Sequence, residues 1–253
     1  MSFGEVQRLE VGSTTVNSWV VRPVRASGPD VVVVPGLGAL GYLSRFAAAI
    51  AASGSMCHVL DVPGFGSAGP DACAPSVPAM ADTVSAWLTE RGLHDVVLAG
   101  HSTGAQAAIQ AARGHSAVRA VAALGLPFPP GERSWTRVLL TAPAAFRRDS
   151  PAEFAAALPQ YLRGNLAVLR LIASGLRARP ERDVAGLTVP LVLASGAADA
   201  YSPAWWLEAV ATQVKGPGTV LMLPGSHNAL WVHPDAAARA VLLTDALALT
   251  QHR

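Results

Sequence analysis

The sequence predicts an α/β fold, a mostly parallel sheet whose strands alternate with helices. From Asp30 onward, short apolar runs alternate with stretches of helical periodicity, the pattern of parallel strands joined by crossover helices. The runs are continuous in valine and leucine, as in Val31-Val32-Val33-Val34, so they suit strands covered on both faces. A third observation is Gly100-His101-Ser102-Thr103-Gly104, set between an apolar run and a small-residue helical stretch.

The elements follow in order. Residues 5–11 and 14–21 alternate in polarity about a Gly12-Ser13 turn and read as a hairpin. Strands are predicted at 31–34, 56–62, 96–99, 118–125, 191–195 and 219–223, and helices at 40–52, 77–91, 102–113, 203–214 and 234–249. Between 126 and 187 no strand is predicted, only helical patches around 133–146, 151–162 and 165–176. That segment reads as a helical insertion closing over the mouth of the sheet. The chain has no internal repeat at a fixed period.

A Gly-x-Ser-x-Gly at a strand-to-helix junction forms a sharp turn that leaves its serine strained and exposed. Ser102 would lie at a helix N-terminus, where free amides and the helix dipole favour negative charge. A serine nucleophile needs a base, and the base needs an acid that holds its tautomer. Asp199 follows the run at 190–196, and His227 follows the run at 219–223 in Pro224-Gly225-Ser226-His227-Asn228. Both fall in loops at the carboxyl ends of strands, where open α/β sheets place their sites. The loop Pro35-Gly36-Leu37-Gly38, directly after the first parallel strand, offers backbone amides to an oxyanion, and the amide of Thr103 would be a second donor.

With 253 residues, 51% of them apolar, the chain can bury one sizeable core. Its net charge of +2 comes from scattered, near-balanced groups, so nucleic acid is not an expected partner. No apolar stretch approaches the ~20 residues that span a bilayer, and no membrane partner is expected. Residues 1–7 carry no apolar run after a charged start, so no signal peptide is expected. Cys57 and Cys73 make no disulfide framework, which suits a reducing cytoplasm. His58 reads as a satisfied core histidine and His101 as a structural residue of the turn. No histidine pair has the spacing of a metal site, so neither metal nor other cofactor is expected.

Together, Pro35-Gly36-Leu37-Gly38, Asp61-Val62-Pro63-Gly64-Phe65-Gly66-Ser67, the Ser102 turn, Asp199 and His227 resemble the capped α/β-hydrolase superfamily over nearly the whole length. The resemblance implies an eight-stranded, mostly parallel sheet with an N-terminal antiparallel hairpin and a helical cap. The core would be residues 1–126 and 187–253, the cap 127–186. It implies Ser102 as nucleophile, His227 as general base and acid, Asp199 as orienter, and the Leu37 and Thr103 amides as the oxyanion hole. Asp61 carries no catalytic role in it. Gly36, Gly38, Phe128, Trp135, Phe146 and Tyr161 are expected against the substrate, with Phe154 in the same roof. Pro35 stands where relatives often have histidine, and Ala105 where many have a second glycine. The expected activity is hydrolysis of a carboxylic ester or lactone of a hydrophobic small molecule. Carbon–carbon bond hydrolysis of a dienone acid, and a non-hydrolytic lyase or ligand-binding member of the fold, stay open. A homodimer stays open too.

Overall fold

The computed structural model describes residues 4–67 and 71–251. The first residues of the 1–7 segment and the last two of the predicted core lie outside them. The strands are β1 (Glu5–Val11), β2 (Thr14–Val21), β3 (Val31–Val34), β4 (Cys57–Leu60), β5 (Val96–His101), β6 (Val118–Leu124), β7 (Leu191–Gly196) and β8 (Gly218–Leu223). They form one eight-stranded sheet in the order β1-β2-β4-β3-β5-β6-β7-β8. The hairpin pairs antiparallel and joins β4 antiparallel, while β3 through β8 run parallel.

The helices are α1 (Ser44–Ala52), α2 (Val77–Arg91), α3 (Thr103–Ala112), α4 (Trp135–Ala145), α5 (Pro151–Gly164), α6 (Leu166–Arg177), α7 (Pro180–Asp183), α8 (Ala204–Ala211), α9 (Ala229–Val232) and α10 (Pro234–Gln251). Because successive strand residues face opposite sides, the valine run of β3 feeds two cores. Val32 and Val34 join a layer with Met80, Val84 and Trp87 of α2 and Ile109 of α3. Val31 and Val33 join another with Phe46 and Ile50 of α1 and Val241 of α10. Helices α4–α7 all lie between β6 and β7.

Some boundaries differ from the sequence expectation, for local reasons. The helix expected from 40 begins at Ser44, because Gly41–Leu43 form a 3₁₀ turn. The strand expected at 56–62 is Cys57–Leu60, since the chain leaves the sheet at Asp61, whose Oδ1 accepts from the Gly66 N–H at 2.8 Å. Short helices α7 and α9 carry too few residues for a periodic signal. His58 is buried in β4, but neither ring nitrogen has a hydrogen-bond partner among the described residues. Its ring stands edge-on to Trp87 instead, and burial pushes its pKa down to about 4, so it rests neutral.

Candidate active site

Strand β5 runs into Ser102, whose backbone takes φ 55° and ψ −123°, and α3 starts at the next residue. Few side chains adopt that conformation, and it persists because the surroundings over-determine it. The Ser102 N–H donates to the Leu124 carbonyl of β6 at 2.9 Å. A Cβ on Gly100 would collide with the Gly104 carbonyl, and one on Gly104 with the carbonyls of Val34 and Pro35. Both glycines are therefore steric requirements of the turn. It also explains why the helix expected from 102 starts at Thr103.

Asp199 and His227 reach this serine from the ends of β7 and β8. His227 Nδ1 donates to Asp199 Oδ2 at 2.8 Å, and His227 Nε2 lies 3.0 Å from Ser102 Oγ. An ionised carboxylate only accepts, so the proton sits on Nδ1 and Nε2 accepts from the serine hydroxyl. Asp199 also accepts from Ser195 Oγ and from the Tyr201 N–H, each at 2.8 Å. Burial acts to raise the Asp199 pKa, but the His227 charge and these hydrogen bonds outweigh it and hold it below the usual range. Burial likewise opposes charge on His227, and Asp199 outweighs it to raise the imidazole above its ordinary value. Glu132 and Asp183 lie elsewhere: Glu132 faces Arg137, and Asp183 accepts from Gln110 and Arg113.

His101 has more partners than the sequence suggests. The His227 carbonyl can only accept, so His101 Nε2, 3.0 Å away, carries the proton. His101 Nδ1 then accepts from the Tyr42 hydroxyl at 2.8 Å, and Tyr42 accepts from the Gly36 N–H at 2.9 Å. Burial first, then the His227 charge, push the His101 pKa down to about 3, so the ring stays neutral and these two hydrogen bonds fix its tautomer. Through it the loop after β3, the serine turn and the histidine loop share one hydrogen-bonded chain. Tyr42 gives no sequence signal, being a single tyrosine inside an apolar stretch.

The loop after β3 closes the other side. Leu37 takes φ 48° and ψ 25°, and its N–H donates to Thr103 Oγ1 at 2.9 Å. The two residues expected to supply oxyanion amides are thus adjacent, with the Leu37 amide held by the Thr103 hydroxyl. The Thr103 amide opens α3 and so has no acceptor within the helix. Gly36 lies against Ser102, where an added Cβ would stand 2.9 Å from the serine Cβ. Gly38 faces Phe65 and Pro63 and supports the loop from behind.

A cavity of about 490 Å³ opens beside these groups, lined on one side by Leu37, Phe146 and Asn228 and on the other by Phe154, Ala157 and Tyr161 of α5. Ser102 is not part of its lining, although Phe146 stands edge-on to His227 at 5.5 Å between centroids. Of the expected aromatic roof, Phe146, Phe154 and Tyr161 reach the cavity; Phe128 and Trp135 do not. Phe128 packs behind Tyr201 at 5.7 Å, and Trp135 begins α4 with its side chain turned outward, 41% exposed. The wall also holds Asp149 and Glu153, neither expected from sequence. Asp149 accepts from Asn228 at 3.0 Å. Burial, then Asp149, push the Glu153 carboxyl up to about 8, so it is largely neutral at pH 7.

Among the described residues, no group of three or more His, Cys, Asp or Glu could hold a metal ion. No helix among them is long and apolar enough to cross a membrane.

A sequence model of the alpha/beta hydrolase family matches residues 31–240. No curated protein matches the sequence significantly. Among solved structures, a hydrolase from Pseudomonas aeruginosa PA01 superposes with a TM-score of 0.76 at 15% identity, over 95% of this chain and 98% of its own. The enol-lactonase from Burkholderia xenovorans LB400 gives 0.74 at 16% identity, over 94% and 99%. The proline iminopeptidase of Mycobacterium smegmatis gives 0.76 at 17% identity, over 98% and 100%. At such identities these likenesses speak for the fold.

Proposed function

The chain belongs to the alpha/beta hydrolase family, and on that premise we propose that it is a serine hydrolase cleaving a carboxylic ester or lactone of a hydrophobic small molecule. The observation that carries this reading is the unbroken line from Asp199 through His227 to Ser102, at 2.8 and 3.0 Å. Ser102 Oγ attacks the carbonyl carbon while His227 Nε2 takes its proton, and Asp199 stabilises the imidazolium. The amides of Leu37 and Thr103 receive the oxyanion, each donor contributing roughly 3 kcal/mol in comparable sites. His227 then protonates the leaving oxygen, and water activated by the same histidine releases the acyl group.

Residues 127–186 act as a cap in this reading, and the cavity beside Phe146 and Tyr161 takes the apolar part of the substrate. Its lining is mostly apolar, which suits an uncharged group. That the similar solved structures include a lactonase is in keeping with a carboxylic ester bond.

A fluorophosphonate probe tests the reading directly. The wild-type protein should be labelled, the Ser102→Ala protein should not, and the wild type should turn over members of an ester and lactone panel. Equal labelling of both proteins would end the assignment of Ser102. Labelling at Ser102 without turnover of any ester or lactone would end the choice of bond.

A further inference from the structure

Helices α5 and α6 each bury one face and leave the other unpartnered. On α6, Leu171, Ser174 and Gly175 are buried, with Ser174 Oγ accepting from the Val77 N–H and the Gly175 carbonyl accepting from Gln106. A residue advances 100° per step around a helix, so Leu166, Leu169, Arg170 and Arg177 share the opposite face, and all four are exposed. On α5, Phe154, Leu158 and Leu162 recur every fourth residue as an exposed stripe that ends where α6 begins. Leu162 is 71% and Leu166 61% exposed. Single exposed leucines are ordinary, but a run of them along one helical hairpin marks an interaction surface.

Charge says what kind. The charge is not scattered as expected from the sequence: residues 133–179 hold eight arginines and two acids, formally +6 in a chain whose total is +2, so the remainder carries −4. The two acids, Asp149 and Glu153, face the cavity. Arg147, Arg148, Arg163, Arg170 and Arg177 are exposed. Among the described residues none of the five forms an ion pair within 4.0 Å. A second copy docked by a two-fold axis would set this cationic face against itself with no acids to match.

We propose that the exposed face of the α5–α6 hairpin docks on an anionic lipid bilayer, leucines in the acyl boundary and arginines among the headgroups. Helices that lie in an interface combine an apolar stripe with flanking arginines in this way, and need no spanning segment. The absence of a spanning segment was the ground for expecting no membrane partner, and it does not bear on a helix lying flat. Phe154 both belongs to the stripe and lines the cavity, so docking would set the cavity beside the lipid.

Flotation with vesicles tests this without reference to catalysis, and the Ser102→Ala protein serves as well as wild type. Both should bind vesicles of phosphatidylcholine with roughly one third phosphatidylglycerol at least tenfold better than phosphatidylcholine alone, less so at high salt. Arg170→Gln/Arg177→Gln should weaken binding about fivefold per arginine, and Leu162→Ser/Leu166→Ser more than tenfold. These side chains are exposed, so melting temperature should hold. Failure of the wild type to bind either vesicle overturns the proposal, as does equal binding to both that the arginine changes leave untouched. A dimer in sedimentation that the leucine changes disperse would make the face a contact between copies and overturn it equally. Since vesicle binding is read apart from turnover, failure of the serine-hydrolase reading would show separately.

Discussion

The junction of β5 with α3, joined to the cavity only through Leu37, and the α5–α6 hairpin, which lines it, are held by opposite means. At the junction the chain is boxed in: the glycines of the turn face backbone carbonyls, Ser102 keeps a strained conformation, and His101, Tyr42, His227 and Asp199 are all buried and hydrogen-bonded. The hairpin presents leucines and arginines to the outside and touches the cavity with one edge. A group fixed by backbone sterics and buried polar bonds tolerates almost no change, whereas a surface that gathers apolar area tolerates many. Substitutions should therefore act on rate at the junction and on binding at the hairpin.

The largest effect is expected at Asp199. Asp199→Asn should lower kcat about 10⁴-fold by favouring the wrong tautomer of His227. It also removes the charge that raises the His227 pKa above its ordinary 6.5. Catalysis needs the neutral imidazole, so activity of the wild type should fall as pH drops through that raised value. In the variant the acid limb of kcat/KM should move to lower pH. A pH–rate profile with an unmoved limb would break the link between Asp199 and His227.

Next comes the buried bridge. Tyr42→Phe leaves the Gly36 N–H and His101 Nδ1 without partners, costing about 1–3 kcal/mol of stability. If the bridge also positions His227, kcat should fall about tenfold or more with KM little changed, since misplaced catalytic groups cost rate. Thermal unfolding together with steady-state kinetics separates the two. A lowered melting temperature with unchanged kcat would make the bridge packing alone.

How far each region could be read in the sequence follows the same division. Ser102, Asp199 and His227 announce themselves because the turn demands glycines and the sheet places loops after recognisable apolar runs. Tyr42 is invisible, since its role depends on a histidine 59 residues away and on no local pattern. In the insertion, apolar periodicity locates the helices but not which face turns inward. Phe146, Phe154 and Tyr161 therefore reach the cavity while Phe128 sits behind Tyr201 and Trp135 turns outward. Glu153 gives no signal because an acid in a helical stretch ordinarily reads as solvated, and Asp149 gives none because it falls in the connection between two helical patches.

The insertion supplies a paired test of that difference. Phe146 is as exposed as Trp135, at 41%, yet stands edge-on to His227 and lines the cavity, so Phe146→Ala should cost little stability, raise KM about tenfold and shift acyl-length preference. Trp135→Ala should leave KM and the acyl-length profile within about twofold, as an exposed side chain clear of the cavity should. If Trp135→Ala changed selectivity as much as Phe146→Ala, the cavity would not be where substrate binds.

The smallest effect is expected at Thr103, where the two regions meet. Its hydroxyl holds the Leu37 N–H, the amide proposed to receive the oxyanion. In the resting protein that bond satisfies a half-buried donor of the left-handed turn after β3. During reaction the same N–H must turn toward the oxyanion or be shared with it. Thr103→Ala removes the acceptor while keeping the Thr103 amide, so loop stability and oxyanion binding separate. Stability should fall by about 1 kcal/mol, the usual net worth of one hydrogen bond. Turnover should change less than about threefold, because the oxyanion, being charged, is the stronger acceptor and no longer competes with a hydroxyl. Melting temperature and kcat/KM on one preparation decide it. A hundredfold loss of kcat/KM at an unchanged melting temperature would mean that the hydroxyl itself binds the transition state, and the oxyanion site would then consist of Thr103 rather than of Leu37.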